Sequence, residues 1–99
     1  MTSVKEIAAE IPGSFALLQN YPNSFNPSTT ISFDIPQRSH VKLVVYDVLG
    51  REVKILVDDE KAAGRYEVKF DATGLTSGVY FYRIVAENFT QVREMVVVK

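Results

Sequence analysis

In the stretch "TISFDIP", Ile31, Phe33 and Ile35 fall on one side of an extended chain, Ser32 and Asp34 fall on the other, and Pro36 closes the run. A period of two over this length predicts a strand with one buried face. The same alternation returns in "RYEVKFDA", where Tyr66, Val68 and Phe70 oppose Arg65, Glu67 and Lys69. "SFALL", "HVKLVVYDV" and "EVKILV" read as further strands, and "VYFYRIVA" and "FTQVREMVVV" complete the set. These last two are apolar at nearly every position, the pattern of strands buried on both sides.

The breaks are equally legible. "LGRE" places Gly50 where a hairpin loop needs a residue at positive φ. "DDEKAAGR" predicts a longer polar connection, "TGLTSG" carries Gly74 and Gly78, and Glu87-Asn88 suits a tight turn because Asn tolerates the left-handed region. Gly50 and Gly78 both read as backbone requirements. About seven short strands at roughly ten-residue spacing, with no helix-period segment among them, predict an all-β chain, an antiparallel Ig-like β-sandwich. Residues 14–99 form this unit.

Residues 1–13 read differently. Val4, Ile7, Ala8 and Ile11 stand at helical spacing, but two turns ending at Pro12-Gly13 make a marginal helix. A linker or short leader, or else a short docked helix, is expected there. The first clear strand is announced by "NYPNSFNPSTTISF", with two prolines and three asparagines before Ile31. Pro22 and Pro27 restrict their own φ and push Tyr21 and Asn26 toward extended backbone. Asn20, Asn23 and Asn26 are suited to capping the open backbone groups of a loop that crosses between sheets.

Ninety-nine residues hold one domain. Eleven basic and twelve acidic residues leave a net charge of -1, so no global charge excess invites nucleic acid or an anionic membrane. The absence of cysteine excludes thiol catalysis, thiolate metal sites and disulfides. "MTSVKEIAAE" lacks the apolar core of a signal peptide, so export would require a targeting segment upstream in a longer protein.

Catalytic chemistry finds few candidates. The single histidine, His40, opens a strand and reads as a solvated strand end, because a catalytic or metal-binding ring needs orienting partners. Asp58, Asp59 and Glu60 are three adjacent carboxylates, fewer than the six to eight oxygens calcium takes, and they read as a solvated loop. Asp47 and Asp71, at strand ends, are expected to accept local backbone hydrogen bonds. Tyr80, Phe81 and Tyr82 are consecutive and cannot line one face, and tryptophan is absent, which weakens a sugar-binding platform. No catalytic residue, metal or cofactor is expected.

"LLQNYPNSFNPSTTISFDIP", "VKLVVYDVLGREVKILVD", "AGRYEVKFDATGLTSGVYFYRI" and "FTQVREMVVVK" together resemble the C-terminal sorting domain, type A, of type IX secretion system cargo, over roughly Phe15 to Lys99. The family's front block matches at Asn20, Tyr21, Pro22, Asn23, Phe25, Asn26 and Pro27; Ser24 stands where its second proline is usual. Tyr46, Asp47, Gly50 and Arg51 match the middle block, Gly78, Val79 and Tyr80 the penultimate strand, and Met95, Val96 and Lys99 the end. The resemblance implies a non-enzymatic address on a larger secreted protein, carried behind N-terminal cargo domains. It implies recognition by the outer-membrane type IX translocon and processing by a sortase-like surface protease, ending at the cell surface. An Ig-like structural or adhesive module is the rival, since the Ig-like domain of the flagellar hook-capping protein has a similar "YDxxGREV" hairpin. A carbohydrate-binding module is a third reading, by fold analogy alone. Open edge strands also make homodimer pairing a prospect.

Overall fold

A computed structural model describes residues 4–8 and 10–99. Among the described residues, eight strands form two antiparallel four-stranded sheets. They are β1 (Val4–Ala8), β2 (Ala16–Leu17), β3 (Ser28–Ile35), β4 (Ser39–Tyr46), β5 (Glu52–Lys61), β6 (Gly64–Asp71), β7 (Gly78–Ala86) and β8 (Phe89–Val97). The first sheet has the order β1-β6-β3-β2 and the second β5-β4-β7-β8. The second sheet holds consecutive hairpins, whereas the first brings strands from both halves of the chain together. Three of the six strand pairings, β1–β6, β3–β6 and β4–β7, join strands that are not consecutive in the chain.

The alternating segments form the sandwich interior. Ile31, Phe33 and Ile35 of β3 and Tyr66, Val68 and Phe70 of β6 face Val41, Leu43 and Val45 of β4 and Tyr82, Ile84 and Met95 of β7 and β8, all buried. Phe33 stacks on Tyr66 with ring centroids 5.4 Å apart, and Phe25 meets Phe70 edge-on at 6.3 Å. Each large apolar side chain so buried contributes about 1.5–3 kcal/mol. The Tyr66 hydroxyl reaches the Ala62 carbonyl at 2.7 Å, so its polar end is satisfied where the strand turns.

Four local expectations change. Val4–Ala8, with its helix-like spacing, is a strand on the open edge of β6, with Val4 opposite Val68 and Ala8 opposite Arg65. Five residues form too few internal bonds to hold a helix, and an unpaired sheet edge supplies partners instead. Residues 1–3 and 9 lie outside the described residues. "DDEK" is no loop: β5 pairs with β4 as far as Ser39 opposite Lys61. Its carboxylates, Asp58, Asp59 and Glu60, are exposed along an edge strand, where they also discourage pairing with other chains, while the Lys61 ammonium lies over the Tyr66 ring. His40 and Asp58 bond across this ladder at 2.7 Å, and Arg38 lies 3.4 Å from Glu60, so the histidine has a partner although it is exposed.

The third change concerns β7 and β8. Tyr80, Tyr82, Ile84 and Ala86 point inward, while Phe81 is half-buried and Arg83 and Val85 are exposed. In β8, Met95 and Val97 are buried and Val92 is exposed. Among the described residues no layer covers the outer side of β7 and β8, so each is buried on one face only. Finally, Glu87 rather than Asn88 takes the positive φ, 53°, in the β7–β8 turn. Gly50 and Gly78 sit at φ 81° and 148°, and a Cβ on either would meet nothing within 4 Å, so the demand is conformational and not one of space.

Candidate functional site: the front loop and the terminal strand

Between β2 and β3 the chain leaves the first sheet, crosses the open side of the sandwich and returns. Gln19 to Pro27 make that crossing, and their polar groups are anchored at nearly every step. The Tyr21 N–H and carbonyl still pair with Thr30, at 3.0 and 3.1 Å. Asn20 is buried, and its Nδ2 donates to the Pro22 carbonyl at 3.1 Å and to Thr29 Oγ1 at 3.0 Å. Thr29 Oγ1 donates in turn to Pro22 O at 2.7 Å, and Gln19 Nε2 donates to Asn20 Oδ1 at 2.7 Å. A buried amide with its donors and acceptor satisfied holds one loop geometry, since any displacement would strand a polar group away from water.

The other wall is the second sheet. Tyr82, fully buried on β7, places its hydroxyl between two loop groups: it accepts from the Asn20 N–H at 2.7 Å and donates to the Leu18 carbonyl at 2.8 Å. Burial pushes the phenol up to about 12, against the Asn20 hydrogen bond, which pulls it down. The side chain is therefore a neutral donor at any physiological pH, as the bond to Leu18 requires. Arg93 Nε donates to Leu17 O at 2.6 Å, and Gln19 Nε2 to Glu94 O at 2.7 Å.

Further along, the loop becomes a partner of β8. Val96 N–H donates to Asn23 Oδ1 at 2.9 Å, Phe25 N–H to Val96 O at 3.1 Å, and Val98 N–H to Phe25 O at 2.9 Å. This is a short parallel bridge between Phe25 and Val97, residues from opposite ends of the chain. The Phe25 ring is buried beneath it. Two of the three asparagines thus cap backbone as expected. Asn26 is exposed and forms none of the described hydrogen bonds. The Tyr21–Pro22 and Asn26–Pro27 peptide bonds are cis.

The middle and end blocks meet at the same end of the sandwich. Asp47 organises the β4–β5 turn: its Oδ1 accepts from the N–H groups of Leu49 at 2.9 Å and Arg51 at 3.0 Å, and Oδ2 accepts from Arg51 Nε at 2.8 Å. The backbone bond from Arg51, more than the guanidinium, holds its carboxyl below the usual carboxylate range. Gly50 N–H closes the turn on Asp47 O at 3.0 Å. Asp71 caps Thr73 in the same manner, and its carboxyl is likewise lowered. The 72–78 loop is then the common neighbour. Ala72 donates to Pro27 O at 2.7 Å and accepts from Lys99 Nζ at 3.0 Å, and Ser77 Oγ accepts from Lys99 N–H at 3.0 Å. Between this loop and the β4–β5 turn lies a groove of about 400 Å³ lined by Asp47, Leu49, Arg51, Leu75, Gly78 and Tyr80.

Thus all four sequence blocks converge. Asn20, Phe25, Tyr80 and Met95 are buried, whereas Tyr21 is 81% exposed and Lys99 is exposed. Tyr46, Val79 and Val96, half-buried, occupy outward positions on the second sheet. Thr29, Tyr82, Arg93 and Ser77 were absent from the expected set. Only Thr29, within "NPSTT", carried a signal, its nearness to the loop; the others are distant in sequence from what they bind. The described residues hold no cluster of three or more histidine, cysteine or acidic side chains suited to a metal.

A family model described as a secretion system C-terminal sorting domain matches residues 19–99. The chain therefore belongs to the C-terminal sorting domains of the type IX secretion system, and a structural or adhesive role gains no support from the comparisons. No curated protein and no solved structure matches the chain.

Proposed function

We propose that the translocon reads this sorting domain as a folded surface, centred on the end of the sandwich where the front loop, the β4–β5 turn, the 72–78 loop and the terminal residues meet. Membership of the family makes the chain a sorting signal on a larger secreted cargo. The finer reading concerns what is recognised. The observation that carries it is the bonding of Asn23 and Phe25 to Val96 and Val98, across more than seventy residues of chain. A linear signal would have no use for this bonding; a surface assembled from both ends depends on it.

On this reading the domain does no chemistry itself. It is a ligand for the export machinery and then a substrate for a sortase-like surface protease, which releases it and leaves the cargo on the outer surface of the cell. The test is a fusion of residues 1–99 behind a signal peptide and a folded reporter, expressed in a host with type IX secretion. Reporter at the cell surface, together with its loss in a variant whose front loop is unfolded, is the expected result. A folded wild-type fusion held in the periplasm would refute the reading.

A further inference from the structure

The two faces of the sandwich are unlike. The outward positions of β3 and β6 are Ser28, Thr30, Ser32 and Asp34 with Arg65, Glu67, Lys69 and Asp71, all polar. The second sheet turns Tyr46, Phe81, Val85, Val92 and Val96 outward across β4, β7 and β8, Val85 and Val92 exposed and the others half-buried, around an outward Val44 that its neighbours bury. Ladder register makes these a continuous patch: Tyr46 is opposite Phe81, Val44 opposite Arg83, and Arg83 opposite Val92. The core cluster is built from the alternate, inward residues of the same strands.

One cation sits in the middle. The Arg83 guanidinium lies over the Tyr46 ring, 5.1 Å from its centroid, and donates to the Tyr46 hydroxyl at 2.8 Å. Among the described residues it has no carboxylate partner. Asp47 pairs with Arg51 and Asp58 with His40, while Glu52, opposite Tyr46, and Glu94, opposite Phe81, form no ion pair with Arg83. Arg83, Tyr46, Phe81 and Val92 border a shallow depression of about 310 Å³ that runs up to Val48 and Gly50 at the hairpin. A guanidinium held over a tyrosine ring, with a single side-chain hydrogen bond among the described residues, is preorganised for a carboxylate.

We propose that this outer face of the second sheet is the docking surface for a component of the export machinery that presents a carboxylate set among apolar side chains. The inference rests on the assignment of the chain as a sorting domain and deepens it by naming the face and the chemistry. Two features select this occupant. The cation without a carboxylate calls for an acid from outside. The patch also spans three strands by some six residues, about 300–400 Å², well under the roughly 800 Å² per partner of a stable complex. That area suits a contact made and released during transport, and is too small to hold a second copy of the chain.

The test uses the reporter fusion of residues 1–99 with Arg83→Glu, Arg83→Lys and Val92→Asp, and Lys69→Glu on the polar face as the control. Arg83 and Val92 are exposed, so each purified variant should melt within a few degrees of wild type. Placing like charge against the partner's acid should lower surface delivery by about tenfold or more for Arg83→Glu. Val92→Asp should lower it similarly, Arg83→Lys, which keeps the charge without the stacked fork, should fall between, and Lys69→Glu should remain near wild type. Delivery of Arg83→Glu and Val92→Asp at wild-type levels would overturn this face while leaving the family reading intact. A wild-type fusion retained in the periplasm would remove both. Sedimentation of the purified chain should show a monomer; a dimer abolished by Arg83→Glu would reassign the face to self-association and overturn the partner proposed here.

Discussion

Removing one oxygen from Tyr82 should loosen the front loop without disturbing the core that the ring fills. In Tyr82→Phe the ring keeps its place among buried neighbours, but the hydroxyl that accepts from Asn20 N–H at 2.7 Å and donates to Leu18 O at 2.8 Å is gone. The Asn20 N–H lies in buried surroundings and is left without an acceptor, at a cost of about 1–3 kcal/mol. Leu18 is partly exposed and its carbonyl can turn to water, so its share is small. A total of about 2 kcal/mol corresponds to roughly 8–16 °C in the melting temperature of a domain this size. Calorimetry gives that number, and hydrogen exchange at Asn20 and at Val96, whose N–H bonds to Asn23, tells whether the loss is local to the loop.

The same variant carries a pH signature. Tyr82 is raised in the folded state to about 12, above its value in the unfolded chain near 10. Its contribution is thus complete below pH 10 and is lost as pH rises through 12. Tyr66 is also raised by burial, so wild type has more than one source of alkaline loss. The difference between wild type and Tyr82→Phe isolates Tyr82: the gap should narrow from pH 10 upward. A melting temperature lowered by less than about 3 °C, or a gap that stays constant through this range, would show that the hydroxyl does not brace the loop.

Asp47→Asn should flatten the acid limb of the stability profile. The Asp47 carboxyl is lowered chiefly by the Arg51 backbone bond, so its contribution is present above its unfolded value near 4 and disappears as pH falls through the folded one; wild type and variant should converge in that window in acid melts. Lys99→Glu removes the Nζ bond to Ala72 O at an exposed terminus and sets a carboxylate toward Asp71, which should cost no more than about 1 kcal/mol, a shift of a few degrees by differential scanning fluorimetry. A much larger shift would mean that the chain end is structural and not an accessible surface.

Much was readable from local sequence because the forces involved are local. Period-two alternation places Ile31, Phe33, Ile35, Tyr66, Val68 and Phe70 inward whatever sheet receives them, and Gly50 and Asp47 specify their turn through backbone conformation and short-range capping. The four sequence blocks likewise mark the family by themselves. Three things depended on the assembled structure. Val4–Ala8 had to find the vacant edge of β6 before its strand character could outweigh its helical spacing. The "DDEK" segment became strand only because β4 offered a ladder long enough to hold it. Whether the apolar outer side of β7 and β8 is covered is a property of neighbouring layers, and no pattern within those strands reports on a layer that is missing. Contacts such as Asn20 with Tyr82 and Asn23 with Val96 join residues 62 and 73 positions apart, and pairing at that distance is decided by how two sheets close on each other.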